Sequence, residues 1–318
     1  MQIANYKKIF LTLGLLSGLC SYAQRPVFRA IPLGVKGGID ESNLSAYLVA
    51  PAGSDNFICL DAGTLHYGLQ IAVNNHVFAG PPEQVLKNNI KAYFISHAHL
   101  DHVSGLIINS PDDGNKTIYS NTECLKTLST KYFTWDSWAN FTTDGDKPRL
   151  NKYTLQPITS GETVNVAGTE MQVQAFPLSH SNLESTAFLV NSSGNYLLYL
   201  GDTGADEVEK SHNLDKLWQA VAPLIKAQKL KAIFIEVSFP NEQPSTSLFG
   251  HLTPDWLMTE MEKLSTLSGA TALKNVSVVI THVKPPEANI SKIKQQLRAE
   301  NKLQLKLVFP EQGHPLLF

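Results

Sequence analysis

The sequence predicts one α/β domain built of layered sheets and helices. Three observations carry this. Short apolar runs rich in β-branched and aromatic residues recur along the chain. Amphipathic segments of helical length lie between them. Several runs stop at a histidine or a carboxylate. Strands interleaved with helices imply layers around a shared core, and runs this short suit buried strands better than helices.

In chain order, Phe57-Ile58-Cys59-Leu60 ends at Asp61, and Ala92-Tyr93-Phe94-Ile95 ends at Ser96-His97. Val173 to Leu178 ends at Ser179-His180, and Tyr196 to Leu200 ends at Gly201-Asp202. Ile233-Phe234-Ile235 ends at Glu236, and Val276 to Ile280 ends at Thr281-His282. Leu214 to Lys229 reads as a helix, with Leu217, Val221, Leu224 and Ile225 at helical spacing. Thr253-Pro254 pairs an N-cap with a proline at the first helical position, opening a helix through about Leu264. Pro286 opens another, with Ile290, Ile293 and Leu297 on one face. Two segments fit no element: 66–84, and 132–151 with Phe133, Trp135, Trp138 and Phe141. They read either as loops over a site or as packing against the domain, and Trp135 and Trp138 as residues able to stack on a base.

Composition sets the broad class. The 318 residues carry a formal net charge of −2, with 43% apolar and 17% charged residues. That excludes collagen, coiled coil and disorder. The missing basic surplus argues against a polymeric nucleic-acid partner. Residues 1–23 have the layout of a cleaved signal peptide: Lys7 and Lys8, an uncharged apolar run from Ile9 to Leu19, then Ser21-Tyr22-Ala23. The run is about half the roughly 20 residues that span a bilayer, and Leu19 disfavours acylation of Cys20. Residues 24–318 are then one catalytic domain, exported to a periplasm or secreted and free of membrane. Cys59 and Cys124 remain; a buried free thiol suits Cys59, and two cysteines make no disulfide framework.

Residues 97–102 read HAHLDH, although the chain has only 10 histidines. Imidazole nitrogen and carboxylate oxygen are good ligands for zinc. In extended chain His97 and His99 share a side and chelate one ion, because strand side chains alternate. Asp101 and His102 follow on the next turn and reach a second. Further ligands must come from other strand ends, which offer His180, Asp202 and His282; Asp202, with two oxygens, is able to bridge.

HAHLDH followed by these three residues resembles the metallo-β-lactamase superfamily. The longer run HAHLDHVSGLIINSP at 97–111 resembles the signature of class II cyclic-nucleotide phosphodiesterases. So do DAGT at 61–64, GDTG at 201–204, EVSFPN at 236–241, FGHLTP at 249–254 and THVKP at 281–285. The resemblance implies an αββα sandwich holding two divalent metal ions, zinc by preference, with Mn or Fe suited to similar ligands. His97, His99 and His180 would hold the first, Asp101, His102 and His282 the second, and Asp202 would bridge. Asp61 would orient ligands. Gly37-Gly38 and Glu41-Ser42-Asn43 resemble the family's N-terminal loop, without an assigned role.

The implied activity is hydrolysis of 3′,5′-cyclic nucleotides, cyclic AMP with cyclic GMP as a candidate second substrate, to nucleoside 5′-monophosphates; the pocket contacts that set the preference are not readable from the sequence. Two cations sharing a water would lower its pKa from 15.7 toward about 7, and Asp101 would orient the resulting hydroxide or accept its proton. His251, outside the ligand set, is the candidate acid for the 3′-oxygen, with Glu236 pairing to keep it protonated. The pairing resembles the ribonuclease Z branch of the superfamily. His66 and His76 read as lid residues able to touch substrate; His212 and His314 read as surface or packing. Two rivals stand beside this reading. One is another hydrolase on the same scaffold, a β-lactamase, lactonase or nuclease; the bridging position, usually cysteine in true zinc β-lactamases, is Asp202 here. The other is a metal-dependent binding protein without turnover, which an intact ligand set disfavours.

Overall fold

A computed structural model describes residues 25–318; the expected signal peptide lies outside the described residues. Among these residues the chain forms two mixed seven-stranded sheets. The first runs in the order β14 (Leu316–Leu317), β1 (Phe28–Gly34), β2 (Ala46–Pro51), β3 (Phe57–Leu60), β4 (Ile90–Phe94), β5 (Lys116–Ser120), β6 (Tyr153–Pro157). The second runs β13 (Lys306–Val308), β12 (Ser277–Thr281), β11 (Leu230–Glu236), β10 (Asn195–Leu200), β9 (Leu183–Ser192), β8 (Gln172–His180), β7 (Thr163–Asn165).

The inner faces of both sheets pack together through Phe28, Tyr47, Ile58, Phe94, Phe188, Tyr199 and Phe234, all buried. The outer face of the first sheet is covered by α1 (His66–Asn74), α2 (Pro82–Asn88), α3 (Leu100–Asn109) and α4 (Thr122–Thr127). The second is covered by α5 (Asp206–Glu209), α6 (Asn213–Lys226), α7 (Pro254–Ser268), α8 (Ala270–Leu273) and α9 (Glu287–Glu300). The layers are therefore helix, sheet, sheet, helix, as expected.

The six apolar runs form β3, β4, β8, β10, β11 and β12, and the three amphipathic segments form α6, α7 and α9. Thr253 caps α7 as its spacing suggests, its side chain accepting from Trp256 N. One expectation changes, and one left open is decided. Segment 66–84 is not a loop over the site: it holds α1 and the start of α2, and Leu69 and Ala72 are buried against the first sheet. Gly68 permits this, since a Cβ there would meet the Leu33 carbonyl oxygen at 2.2 Å. Segment 132–151 is irregular after its first residue, and its aromatics pack on the domain. Phe133 is fully buried, the Trp138 indole donates to Ser110 Oγ (3.0 Å) and that of Trp135 to the Pro148 carbonyl (2.8 Å). Cys59 and Cys124 are buried free thiols.

Candidate metal centre

Strand direction sets where the site lies. β3 and β4 are parallel, as are β10, β11 and β12, and β8 runs alongside in the same sense. Their C-terminal ends carry the chemistry: Asp61 after β3, His97 beyond β4, His180 ending β8, Asp202 after β10, Glu236 ending β11 and His282 after β12. His99 is the extended residue before α3, and Asp101 and His102 occupy its first turn.

All seven residues expected to bind metal are brought together. His97, His99 and His180 form one group of converging donor atoms, and Asp101, His102 and His282 a second. Asp202 Oδ2 lies between them, 3.8 Å from His97 Nε2, 3.9 Å from His180 Nε2, and 3.3 Å from both His102 Nε2 and His282 Nε2. Asp101 Oδ2 stands 3.2 Å from His282 Nε2.

The hydrogen bonds fix which nitrogens are free. His97 Nδ1 lies 3.0 Å from Ser96 Oγ, which itself donates to Asp61 Oδ2 (2.8 Å), so the ring donates and Nε2 keeps its lone pair. His102 Nδ1 donates to Asp61 Oδ2 (2.8 Å), and His180 Nδ1 to the Gly250 carbonyl (2.8 Å). His282 Nδ1 is engaged by Ser238 Oγ (3.0 Å). The Nε2 atoms of His102 and His282 approach to 3.1 Å. Two Nε2 atoms facing one another beside carboxylates, with both Nδ1 atoms engaged elsewhere, suit a cation that takes the place of the proton, so the donor set fits divalent metal.

Two backbone approaches shape the site. Gly37 lies against His282, where a Cβ would fall 2.1 Å from the ring, and the Gly38 amide donates to Asp101 Oδ2 (2.9 Å). Gly250, at φ +77°, lies so close to His180 that a Cβ would overlap its backbone carbonyl carbon. Asp61 and His282 themselves sit at φ +54° and +55°, a conformation that costs about 1–3 kcal/mol and clusters at functional sites.

Burial pushes His97, His99 and His282 below the ordinary imidazole range. Burial acts likewise on His102, but the Asp202 and Asp61 carboxylates outweigh it and hold that ring high. Burial raises Asp101 and Asp202, yet the surrounding imidazoles overcome it and hold both low.

His251 and Glu236 pair as expected, Nδ1 to Oε1 at 2.7 Å. The charge state differs from expectation. Burial brings His251 down to about 4, Lys284 adding to the effect against Asp202, and burial with the Asp202 charge brings Glu236 up to about 7. Burial is the main cause for both groups; at His251 Lys284 reinforces it, its Nζ standing 2.7 Å from Nε2, where a neutral ring accepts the hydrogen bond. Ser238 Oγ completes the chain, donating to Glu236 Oε2 (2.7 Å).

Sequence reading missed Lys284, Ser238 and Tyr199. Lys284 stands in THVKP, two residues after His282, and Ser238 in EVSFPN, two residues after Glu236; position was the available signal. Tyr199 donates to Asp61 Oδ2 (2.6 Å) from inside an apolar run. His66 pairs with Glu83 on the exposed surface (2.9 Å), and His76 occupies a left-handed turn after α1; neither joins the cluster. His314 contacts Asn75.

Residues 81–313 match the family of class-II cAMP phosphodiesterases. The chain is 45% identical to the 3′,5′-cyclic-nucleotide phosphodiesterase of Aliivibrio fischeri, over 93% of this chain and 94% of that one. The chain belongs to the class-II cAMP phosphodiesterase family. It is also 37% identical to a probable 3′,5′-cyclic-nucleotide phosphodiesterase of Yersinia pestis, covering 96% of this chain and 92% of the relative. Among solved structures, unliganded yeast PDE1 matches with a TM-score of 0.81 at 23% identity, over 92% of this chain and all of that one. Human tRNase Z, short form, matches at 0.52 and 15% identity, over 91% and 97%. Both likenesses show the fold, which the family shares with metallo-β-lactamase-fold proteins such as YhfI of Bacillus subtilis, at a TM-score of 0.58.

Proposed function

We propose that this chain hydrolyses 3′,5′-cyclic nucleotides to nucleoside 5′-monophosphates at the centre described above. The observation that carries the reading is the convergence of five imidazoles and two carboxylates at one rim of a class-II phosphodiesterase. His97, His99 and His180 would hold one divalent ion, Asp101, His102 and His282 another, and Asp202 both. The histidine-rich set favours zinc, with Mn or Fe served by similar donors. Bound there, such ions supply Lewis acidity, neutralising phosphoryl charge and lowering the pKa of water from 15.7 toward about 7.

The protein's own groups do the rest. A water oxygen forms a bond to phosphorus as the P–O3′ bond breaks; the water's own proton passes to solvent, and the departing 3′-oxygen takes up another. Asp101 is a poor proton acceptor, because its neighbouring imidazoles hold it low; it orients rather than abstracts, fixed by the Gly38 amide. Glu236 holds the His251 ring through Nδ1, and His251 Nε2 positions the Lys284 ammonium. The proton for the 3′-oxygen comes from this Lys284–His251 pair.

The leader composition supports cleavage after Ala23 and action outside the cytoplasm; among the described residues no helix is long and apolar enough to cross a membrane. The substrate is a small molecule rather than a polymer, in keeping with the net charge of −2. The deciding experiment is product analysis with cyclic AMP and cyclic GMP, with and without chelator, beside a penem and an aryl phosphodiester. Nucleoside 5′-monophosphate formed only without chelator supports the proposal; penem hydrolysis without it overturns the proposal.

A further inference from the structure

A cavity of about 220 Å³ opens directly beside the metal-binding histidines. His97 and His99 form one wall, and the others carry Glu123, Tyr132, Leu183 and Glu184. The far walls come from two elements, α4 with the turns that follow it and the tight hairpin joining β8 to β9. One side chain locks them together. Asn121 caps α4 by accepting from Cys124 N (2.8 Å), while its amide donates to the Glu184 carbonyl (3.3 Å) and Thr186 Oγ1 (3.1 Å) across the gap. Tyr132 is fixed as well, its hydroxyl donating to the Ala98 carbonyl between the two histidines (3.0 Å). The cavity is thus preformed and anchored to the centre.

Its chemistry is uneven. The surface is mainly apolar, with Leu183 about half exposed. Two acidic residues line it, one from each wall: Glu123, which Lys126 meets at 3.4 Å, and Glu184, both at its exposed edge. Apolar walls suit a flat ring. Carboxylates accept from N–H groups at its edge and repel a carbonyl there.

We propose that this cavity is the nucleobase subsite, and that Glu123 and Glu184 select bases presenting an exocyclic amine over their oxo counterparts. The inference rests on the reading of the centre as a cyclic-nucleotide hydrolase: a phosphate held at His97 and His99 leaves its base beside them. Trp135 and Trp138, considered from sequence as stacking residues, are tied elsewhere, and Tyr132 with Leu183 takes that place.

The test compares kcat and KM for two substrate pairs that differ in one edge group, cyclic AMP against cyclic IMP and cyclic CMP against cyclic UMP. An aryl phosphodiester without a base reports on the wild-type centre. Wild type is expected to favour the amino member of each pair by roughly tenfold or more, mainly through KM. The double variant E123Q/E184Q is expected to narrow both ratios to within about threefold. Leu183→Ala is expected to raise KM for both members of a pair alike, which separates packing from edge recognition. Equal turnover of all four by wild type, or unchanged ratios in the double variant, overturns the base subsite alone. Cleavage of the aryl ester with none of the four cyclic nucleotides overturns both this inference and the functional reading beneath it.

Discussion

Asp61 is fully buried, and its carboxylate receives four donors: the Ser96 amide (2.7 Å) and hydroxyl (2.8 Å), His102 Nδ1 (2.8 Å) and the Tyr199 hydroxyl (2.6 Å). A carboxylate offers only acceptor sites, so every contact is met without a clash of hydrogens. Asp61→Asn puts an amine among these donors and leaves His102 or Ser96 facing a hydrogen. Orienting residues of this kind cost 10–100-fold in metal affinity when changed. That loss, measured by titrating metal into chelator-treated protein with an unchanged circular dichroism spectrum, is the expected result. The Glu236–His251 pair gives a second prediction at this scale, for metal-free protein. Glu236 lies above its ordinary value of 4.5, so its contribution to stability is present below 4.5 and is lost as pH rises through about 7. His251 lies below its ordinary 6.5, so its contribution is present above 6.5 and lost as pH falls through about 4. The slopes oppose one another between pH 4.5 and 6.5. Glu236→Gln removes the falling one, and denaturation in chelator should show stability climbing more steeply with pH than in wild type. The histidine cluster was legible in sequence because histidine is scarce and HAHLDH concentrates it. Lys284 and Ser238 were not, because lysine and serine are common on surfaces and only folding places them against His251.

Elements were legible where one face is apolar and an end is marked. Helix α7 has Thr253 and Pro254 at its start, α9 follows Pro286, and α6 keeps a continuous buried stripe. Edge strands β6, β7, β13 and β14 are short and largely exposed, so no alternation distinguishes them from loops. Helix α1 was hidden differently. Its stripe of Leu65, Leu69 and Ala72 is brief, and Gly68 in its middle reads as a breaker until close packing on Leu33 is seen. The connection from β1 to β2 is the element with the sharpest test. It brings Gly37 onto the His282 ring and Gly38 onto Asp101, both in the second donor group alone. A methyl at residue 37 overlaps the imidazole and has to displace it. Gly37→Ala is therefore expected to hold the first ion and lose the second, lowering metal content from about two per chain toward one. Retention of both ions would show that the loop yields instead of the ligand.

At the scale of the molecule, the two sheets repeat one pairing pattern. From β14 through β6 the contacts are three antiparallel, then three parallel, and from β7 through β13 the same sequence recurs. Asp61 follows the fourth strand of the first series, β3, and Asp202 the fourth strand of the second, β10; each is the strand where parallel pairing begins. No sequence repeat announces this, because packing constrains polarity and size rather than identity. The consequence is a centre whose donors come from both halves. His97, His99, Asp101 and His102 follow the first sheet's β4, while His180, Asp202 and His282 follow strands of the second. Each donor group therefore draws on both sheets, and bound metal ties them together at one rim. A ligand that binds only the folded state stabilises it by RT ln(1 + [L]/Kd), about 2.7 kcal/mol at a hundredfold excess over Kd for one site. Removing metal should lower the unfolding free energy of wild type by an amount of that order for each site, read as a drop in the unfolding midpoint. Asp202→Asn, which weakens the one carboxylate reaching both groups, should show a much smaller drop on chelation. Equal drops in variant and wild type would mean that the sheets are held by their shared aromatic core alone, with the ions adding chemistry but no cohesion.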